Sequence, residues 1–355
     1  MDRIRNIESV NNVLVIQTAF LGDVAISLEL VHALRYYNPS VVIDFITTPA
    51  ASGIIELCPL VNNVFNFDKR NKHKKIKDIS IFAKSLAKNR YDCIISLHKS
   101  FRTSLLVSKI DSKYKIGYQD SAFSKFVYTH CVKANFSLSE HYRVLSPLKV
   151  FGINYLRYRI GDYNLKFADE IKSKVEQILQ ENNIKNKFVV IAPGSVWYTK
   201  KWGKEKYTEL VKQIEISGYS CVIIGNDNDK EDCNFVAKTK KALNLSGKTS
   251  VQDLIYLISQ ASLLVSNDSA PVHFANLVKT PVVAIYGPTS PIFGFAPIGS
   301  EDVIIENNSL KCRPCQIHGG KKCPIGTLEC METITPSEVF RIVNNKLNSK
   351  EYANF

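Results

Sequence analysis

The sequence predicts an α/β protein with two doubly wound, Rossmann-like parallel-sheet domains. Its 355 residues exceed what one hydrophobic core usually needs. Short apolar runs alternate with helix-like runs in both halves, which is the rhythm of a parallel sheet covered by helices. Polar, small-residue loops follow several of the apolar runs, as at the ligand-binding edge of such sheets. We place the domains at residues 1–165 and 166–355 and expect them to face a cleft.

The first half begins with a strand and a long helix. The run NNVLVIQTA predicts the strand, and DVAISLELVHALRYYNP predicts the helix because Val24, Leu28, Val31 and Leu34 recur at helical spacing. The runs VVIDFITT and YDCIISL predict two further strands, and HKSFRTSLLVSKI follows the second of them. The second half repeats this plan with strands at KFVVIAPGS, SCVIIGNDND, SLLVSND and TPVVAIYGPT.

Composition limits the class of protein. The apolar fraction of 45% and the charged fraction of 22% are typical of an ordinary globular protein. No run approaches the roughly 18 apolar residues of a membrane span. Gln17 and Thr18 interrupt the N-terminal apolar run, which therefore predicts a strand and not a signal peptide. We accordingly expect a cytoplasmic protein.

The net charge of +13 favours anionic partners, and much of it lies in DKRNKHKKIKD, residues 68–78. This run is either a solvated loop and helix start or a contact with an anionic membrane surface, where each basic residue contributes about 1 kcal/mol. Aromatic residues do not interleave with it, and no nucleic-acid-binding motif occurs, so we expect no nucleic-acid partner.

Loops in the second half indicate a phosphate site. Asp268 and Ser269 follow the strand SLLVS and open a helix, whose free N–H groups can bind an anion. His273 lies one turn further on. The alternative is a simple helix cap.

Two more loops point to the same chemistry. In APGSVWYTKKWGKEKY, Ser195 is a candidate phosphate donor, and Lys200 or Lys201 could reach a diphosphate. In GNDND, an acid at the end of a strand could hold ribose hydroxyls. The alternatives are a solvated basic loop and a plain polar turn. Walker A and dinucleotide patterns are absent, which disfavours an ATPase or an NAD enzyme.

The first half carries candidates for the acceptor side of a reaction. Asp23, in TAFLGDVAIS, opens the first helix and is a candidate general base or, alternatively, only a cap. Lys99 and Arg102, in HKSFRTS, would suit a phosphorylated or acidic acceptor.

Five motifs together resemble the ADP-heptose:lipopolysaccharide heptosyltransferases, glycosyltransferase family 9. They are GDV, PGS…KKWGKEKY, LSGKTSVQDL, SNDSAPVHFA and VVAIYGPTSP, and the resemblance runs from about residue 12 to residue 345. The segment CRPC…CPIGTLECMETITPSEV is similar to the tail of heptosyltransferase II members. The resemblance implies a GT-B fold that binds the acceptor in the first domain and ADP-heptose in the second.

The resemblance also implies an inverting transfer that needs no catalytic metal or other cofactor. The implied acceptor is a lipid-linked inner-core oligosaccharide, so the enzyme would act as a peripheral protein at the cytoplasmic face of the inner membrane. By motif position, Asp23 would be the base that deprotonates the acceptor, and Lys200 would hold the diphosphate. The remaining donor-site residues would be Ser195 and Ser269 at the phosphates, Asp268 and His273 beside them, Asp229 at the ribose and Thr249 near the adenine.

The sequence departs from the family pattern at two positions. Ala270 replaces a glycine, and Gly203 stands where a proline is common. Alanine at position 270 would be strained if that position required a positive φ.

Nine cysteines without a secretory signal indicate reduced thiols, and four of them cluster: Cys312, Cys315, Cys323 and Cys330. Four thiols in a short loop could bind a structural zinc or iron ion. The related heptosyltransferases that modify autotransporter proteins carry an iron-binding cysteine cluster in a similar place. The alternatives are reduced cysteines that pack a loop, or a disulfide.

Three other functions compete with lipopolysaccharide heptosyl transfer. A heptosyltransferase could act on a protein or another surface glycan. A nucleotide-sugar-binding protein could lack catalysis. A metal-dependent nucleic-acid binder could use the cysteine cluster, and salt-sensitive binding to DNA would be its signature.

Overall fold

The computed structural model describes residues 6–184, 187–239 and 241–349. The chain divides into two compact units, Met1–Lys166 and Phe167–Phe355, one residue from the boundary expected from the sequence. Within the described residues, each unit contains one six-stranded parallel sheet with helices around it. No helix in this part of the chain has the length and apolar character needed to cross a membrane.

The sheet of the first unit has the order β3-β2-β1-β4-β5-β6. Every neighbouring pair of strands is parallel, so all the strands end at the same edge. The strands are β1 (Asn12–Ile16), β2 (Val42–Thr47), β3 (Asn63–Asn66), β4 (Cys93–Ser96), β5 (Tyr114–Tyr118) and β6 (His130–Val132). The helices are α1 (Leu21–Tyr37), α2 (Ser52–Glu56), α3 (Ile76–Leu86), α4 (Phe101–Lys109), α5 (Ser124–Val127) and α6 (Glu140–Arg143).

The sheet of the second unit has the order β12-β11-β10-β7-β8-β9 and is also parallel throughout. Its strands are β7 (Phe188–Ala192), β8 (Ser220–Ile223), β9 (Leu243–Asn244), β10 (Leu263–Asn267), β11 (Val282–Tyr286) and β12 (Val303–Glu306). Its helices are α7 (Asp169–Glu181), α8 (Lys204–Ile216), α9 (Lys230–Val236), α10 (Val251–Gln260), α11 (Ala270–Val278), α12 (Glu329–Glu332) and α13 (Pro336–Ser349).

The strands read from the sequence are the central ones. The residues of β4, β7, β10 and β11 are all buried, because helices cover both faces of the sheet, and such strands appear in the sequence as continuous apolar runs. The sequence reading did not identify β3, β5, β6, β9 and β12. Each of these strands includes partly exposed positions, so its apolar run is shorter or interrupted.

Helix α1 is buried on nearly all sides, and it carries a buried carboxylate, Glu29. Glu29 Oε1 accepts hydrogen bonds from the Tyr163 hydroxyl at 2.6 Å and from the Gly161 N–H at 2.9 Å, and it lies 2.9 Å from His141 Nδ1. A buried carboxylate requires such partners. This network joins the last segment of the first unit to α1, the helix that carries Asp23 in its first turn.

Candidate active site

The predicted donor residues lie at one edge of the second sheet. Strands β11, β10, β7 and β8 are consecutive neighbours and parallel, so the loops that follow them are adjacent. These loops carry Thr289, the pair Asp268 and Ser269, the pair Ser195 and Lys200, and Asp229. Sheet order therefore brings together side chains that are far apart in sequence, at the edge where parallel sheets bind ligands.

Lys200 and Asp268 form an ion pair at this edge. Lys200 Nζ lies 2.6 Å from Asp268 Oδ2, and both side chains are nearly buried, with 12% and 10% exposure. Thr289 Oγ1 donates a 2.7 Å hydrogen bond to the same oxygen. Lys201 points elsewhere and pairs with Asp232 at 2.8 Å. Of the two lysines that were candidates to reach a diphosphate, Lys200 pairs with Asp268 and Lys201 does not.

Asn267, at the end of β10, organises the loops around this pair. Its side-chain oxygen accepts hydrogen bonds from the Trp202 N–H and the Tyr207 hydroxyl, and its amide donates to the Pro193 carbonyl at 2.8 Å. The side chain is fully buried, so an Asn267 amide without hydrogen-bond partners would destabilise the fold. Asn267 thus fixes the β7 loop against the β10 exit, a structural role that the sequence reading did not assign.

Ser269 is the N-cap of α11, with its hydroxyl 3.2 Å from that of Ser266. Ala270 is the first residue of the helix, so the strain considered for alanine at this position is not present. His273 is buried on the same helix, with its ring 6.3 Å from Phe295. Gly203 has φ of +100° before α8, which explains why glycine stands there.

Asp229 is buried and lies directly against the β7 exit. A Cβ on Gly194 would fall 2.4 Å from the Asp229 Cγ, so only glycine leaves room for the carboxylate. The Asn226 N–H donates to Asp229 Oδ2 at 3.1 Å. Thr249 is half-buried in the loop before α10, and Ser195 Oγ accepts a 3.3 Å hydrogen bond from the Trp197 N–H.

In the first unit, Asp23 occupies the third position of α1 and not the first, because the helix begins at Leu21. Its carboxylate accepts a 3.2 Å hydrogen bond from the Phe20 N–H. The pKa of Asp23 is raised to about 6: burial is the main cause and the nearby Glu140 adds to it, while the hydrogen bond from the Phe20 N–H and the charge of Arg143 act in the opposite direction. A carboxylate with this pKa is a competent base near neutral pH.

Basic residues meet at the same edge of the first sheet. Lys69 Nζ donates a 2.6 Å hydrogen bond to the Thr18 carbonyl in the β1–α1 loop, and Arg102 donates to the Lys69 carbonyl at 3.1 Å. Desolvation lowers the pKa of Lys69, and Arg70 and Arg102 lower it further. Lys99 instead pairs with Asp120 at 2.7 Å and lies over the Tyr118 ring. The sequence does not single out Lys69 as a residue of this edge, because it is one of many basic residues in the run 68–78.

His98 is a second residue that the sequence left unassigned. Its Nδ1 lies 2.8 Å from Thr18 Oγ1 and 2.9 Å from Thr103 Oγ1, so it links the exits of β1 and β4. Burial, together with the charge of Lys69, lowers the pKa of His98 to about 4, so the ring is neutral at physiological pH. The sequence also does not identify Thr289 as a partner of Asp268, because its neighbours in the chain are those of any threonine after a strand.

The four clustered cysteines surround one small pocket, together with Thr199 and Pro288. All four are free thiols. Among the residues that the structure describes, no group of three or more histidine, cysteine, aspartate or glutamate side chains has an arrangement that could hold a metal ion. The four thiols therefore share one pocket without the ligand geometry of the zinc or iron site that their clustering suggested.

Two doubly wound units, each with polar side chains at the carboxyl edge of a parallel sheet, are the architecture of the GT-B fold. Residues 79–324 match the model of glycosyltransferase family 9 (heptosyltransferase). The chain belongs to this family. The fold class and the family expected from the sequence are both confirmed.

Individual relatives are distant. Lipopolysaccharide heptosyltransferase 3 of Escherichia coli K12 is 27% identical over 285 residues, which cover 77% of this chain and 81% of the relative. Lipopolysaccharide heptosyltransferase 2 of Salmonella typhimurium is 25% identical, with 79% and 84% covered. The solved structure of E. coli ADP-heptose LPS heptosyltransferase II superimposes with a TM-score of 0.82 at 23% identity, over 96% of this chain and 99% of that one.

Proposed function

We propose that this heptosyltransferase transfers a heptose from ADP-heptose to a heptose-bearing inner-core acceptor of lipopolysaccharide, with inversion and without a catalytic metal. The second unit binds the nucleotide sugar and the first unit binds the acceptor. The similarity to lipopolysaccharide heptosyltransferases supports the reaction class. The motif CRPC…CPIGTLECMETITPSEV favours the heptosyltransferase II step. The observation that carries the proposal is the Lys200–Asp268–Thr289 cluster beside the N-terminus of α11.

This cluster suits a leaving diphosphate. The transition state builds negative charge on the departing ADP, and a preorganised ammonium group stabilises that charge where it develops. The N-terminus of α11 offers free N–H groups to a phosphate, and Ser269 and Ser195 add hydroxyls. His273 lies on the same helix. These groups supply what a divalent cation supplies in other transferases, so we infer a metal-independent reaction.

The other donor contacts follow from the loops around the cluster. Asp229, against Gly194, would accept hydrogen bonds from the ribose hydroxyls, and Thr249 would lie near the adenine. On the acceptor side, Asp23 would take the proton of the attacking hydroxyl, while Lys99 and Arg102 would attract an anionic acceptor. A base opposite the leaving group gives inversion at the anomeric carbon.

ADP release tests this proposal. We expect ADP-heptose and a heptose-bearing inner-core acceptor to give acceptor-dependent release that EDTA does not inhibit, while ADP-glucose gives little. Release with a peptide acceptor and none with the inner-core acceptor would identify a protein heptosyltransferase. Tight binding of ADP-heptose without release with any acceptor would identify a non-catalytic binder. Either result would contradict the proposal.

We further propose that the basic run 68–78 places the enzyme at the anionic cytoplasmic face of the inner membrane. Lys69 and His73 fold inward: Lys69 Nζ donates to the Thr18 carbonyl, and the His73 ring stacks on Phe67 at 5.4 Å and accepts a hydrogen bond from the Asp68 N–H. The outward-facing basic residues of the run are all exposed: Arg70, Lys72, Lys74, Lys75 and Lys77. These exposed side chains are available to an anionic surface, which supports the proposal.

Replacing Lys72, Lys74, Lys75 and Lys77 by glutamine is expected to weaken binding to phosphatidylglycerol-containing vesicles by at least about tenfold, since each lysine near an anionic surface contributes about 1 kcal/mol. Co-sedimentation with vesicles measures this. The matched control removes the same charge from Lys84, Lys88, Arg90 and Lys109, which are also exposed but flank the amino ends of β4 and β5. Equal losses in the two variants would show only a general effect of net charge.

A further inference from the structure

The segment between Cys312 and Cys330, here called the cysteine loop, includes Gln316–Gly320, which lies against the residue that precedes Lys200. Thr199 is buried, and its N–H donates to the Gly320 carbonyl at 3.1 Å. The Thr199 hydroxyl accepts a 2.8 Å hydrogen bond from the Gly320 N–H and donates to Gln316 Oε1 at 3.1 Å. Three hydrogen bonds thus join this segment to the backbone that carries the lysine.

Gly319 contacts the lysine itself. Its φ is +85°, and a Cβ at this position would lie 2.8 Å from both Cγ and Cδ of Lys200 and 2.8 Å from the Cβ of Trp197. Real Cβ atoms do not approach other carbons so closely, so a side chain at 319 would displace the methylene stem of Lys200. Glycine suits this position for two reasons: the positive φ, and the close approach of the Lys200 side chain.

The cysteine loop is itself anchored to the exit of β11. Arg313 donates to the carbonyl groups of Gly287 and Thr289, and it pairs with Glu306 at 2.7 Å. The Cys315 N–H donates to the Pro288 carbonyl at 3.0 Å. The loop therefore connects the two strand exits that supply Lys200 and Thr289, the two partners of Asp268.

We propose that Gly319 is a positioning residue for Lys200. The ammonium group is held by Asp268, the methylene stem lies against Gly319, and the backbone is held at Thr199 by Gly320. This confinement keeps the ammonium group aimed at the site of the diphosphate before the substrate arrives. The cysteine loop is then a supporting element of the donor site. The consequence for turnover rests on the function proposed above, whereas the positioning of Lys200 does not.

Gly319→Ala and Gly326→Ala form a matched pair. Both glycines lie in the cysteine loop with positive φ, +85° and +80°, so alanine strains the backbone equally at each. A Cβ at Gly326 meets nothing within 4 Å, whereas a Cβ at Gly319 meets Lys200. We expect Gly319→Ala to lower kcat/KM for ADP-heptose by about 10- to 100-fold, as misplacement of a catalytic group does. Gly326→Ala should change it by no more than about twofold.

A second measurement needs no turnover. Acylation of Lys200 by a small amine-reactive ester, followed by peptide mass spectrometry, reports the environment of the ammonium group. We expect a changed rate at Lys200 in Gly319→Ala and an unchanged rate in Gly326→Ala, with Lys201 as the internal reference. Unchanged acylation of Lys200 in Gly319→Ala would overturn the proposal. If wild type lacked transferase activity, the proposed function would fail while this measurement still tested the positioning.

Two further comparisons separate positioning from general damage. In a Lys200→Ala background, Gly319→Ala should cause no additional loss of kcat, because the group on which it acts is gone; an equal loss in both backgrounds would overturn the proposal. If Gly319→Ala fails to fold, Thr199→Val removes the hydroxyl that contacts the same segment, and Thr199→Ser retains it. Altered Lys200 acylation in Thr199→Val, with rescue in Thr199→Ser, is then expected, and identical rates in both would contradict the role of the loop.

Discussion

Replacement of Asp23 by alanine is expected to reduce kcat by about 100- to 10,000-fold, the usual contribution of a general base. The KM for ADP-heptose should change little, since Asp23 lies in the first unit and the residues proposed to bind the donor lie in the second. ADP release under saturating substrates measures the effect. Asp23→Asn is the matched variant, because its side-chain oxygen can still accept the hydrogen bond from the Phe20 N–H that begins α1. It should fold normally and be as inactive as the alanine variant.

The pH dependence of the wild type follows from the same residue. Burial raises the pKa of Asp23 to about 6, and the base acts only when it is deprotonated. The rate should therefore rise with pH and level off above about pH 6, falling about tenfold per unit below that value. The residual activity of Asp23→Asn should lack this limb. Two results would show that Asp23 is not the base: an asparagine variant as fast as the wild type, or a wild-type rate that does not change between pH 5 and 7.

The second large effect is expected at Lys200. Lys200→Ala should lower kcat by about 100- to 1,000-fold, as does the removal of one group that stabilises developing charge in a transition state. ADP should also bind more weakly, because the substitution removes the cation that would contact its diphosphate. Lys201→Ala is the matched control: the residue is adjacent and carries the same charge, but it pairs with Asp232 and not with Asp268. It should retain nearly full activity.

Stability must be measured in parallel, because Lys200→Ala leaves Asp268 with a nearly buried carboxylate and no cation. Thermal melting of the single variants and of the Lys200→Ala, Asp268→Asn double variant separates this cost from the catalytic effect. If the double variant melts like wild type and remains inactive, the loss is catalytic. Equal losses of activity in Lys200→Ala and Lys201→Ala would show that only the charge of the loop matters.

The cysteine loop illustrates the limit of motif reading. Its four thiols suggested a metal site, and they do surround one pocket, but no three of them are arranged to hold an ion within the described residues. The residues of the loop that contact the Lys200 segment carry no chemical signal in the sequence. Gly319 and Gly320 contact the Thr199–Lys200 pair, and a glycine gives no indication of what lies against it.

Much of the architecture was decided by local features of the sequence. Central strands of a parallel sheet are buried on both faces, so β7, β10 and β11 are continuous apolar runs, and their polar exits mark the ligand-binding edge. Asp23, Asp268 and Lys200 were recognisable because each lies in a short motif at a strand exit. These inferences need only the order of residues along the chain.

Other features depended on which distant segments meet. Sheet order places β10 between β7 and β11, so the loops after these strands are adjacent, and their contacts pair Lys200 with Asp268 and add Thr289. The same kind of contact turns Lys201 toward Asp232 and Lys99 toward Asp120. Side-chain partners, burial and the raised pKa of Asp23 are properties of neighbours in space. The order of residues along the chain is enough to predict the fold, the family and the edge of the sheet that carries the candidate residues. Which of those side chains meet there depends on contacts between distant segments, because a side chain's partners are set by its neighbours in space.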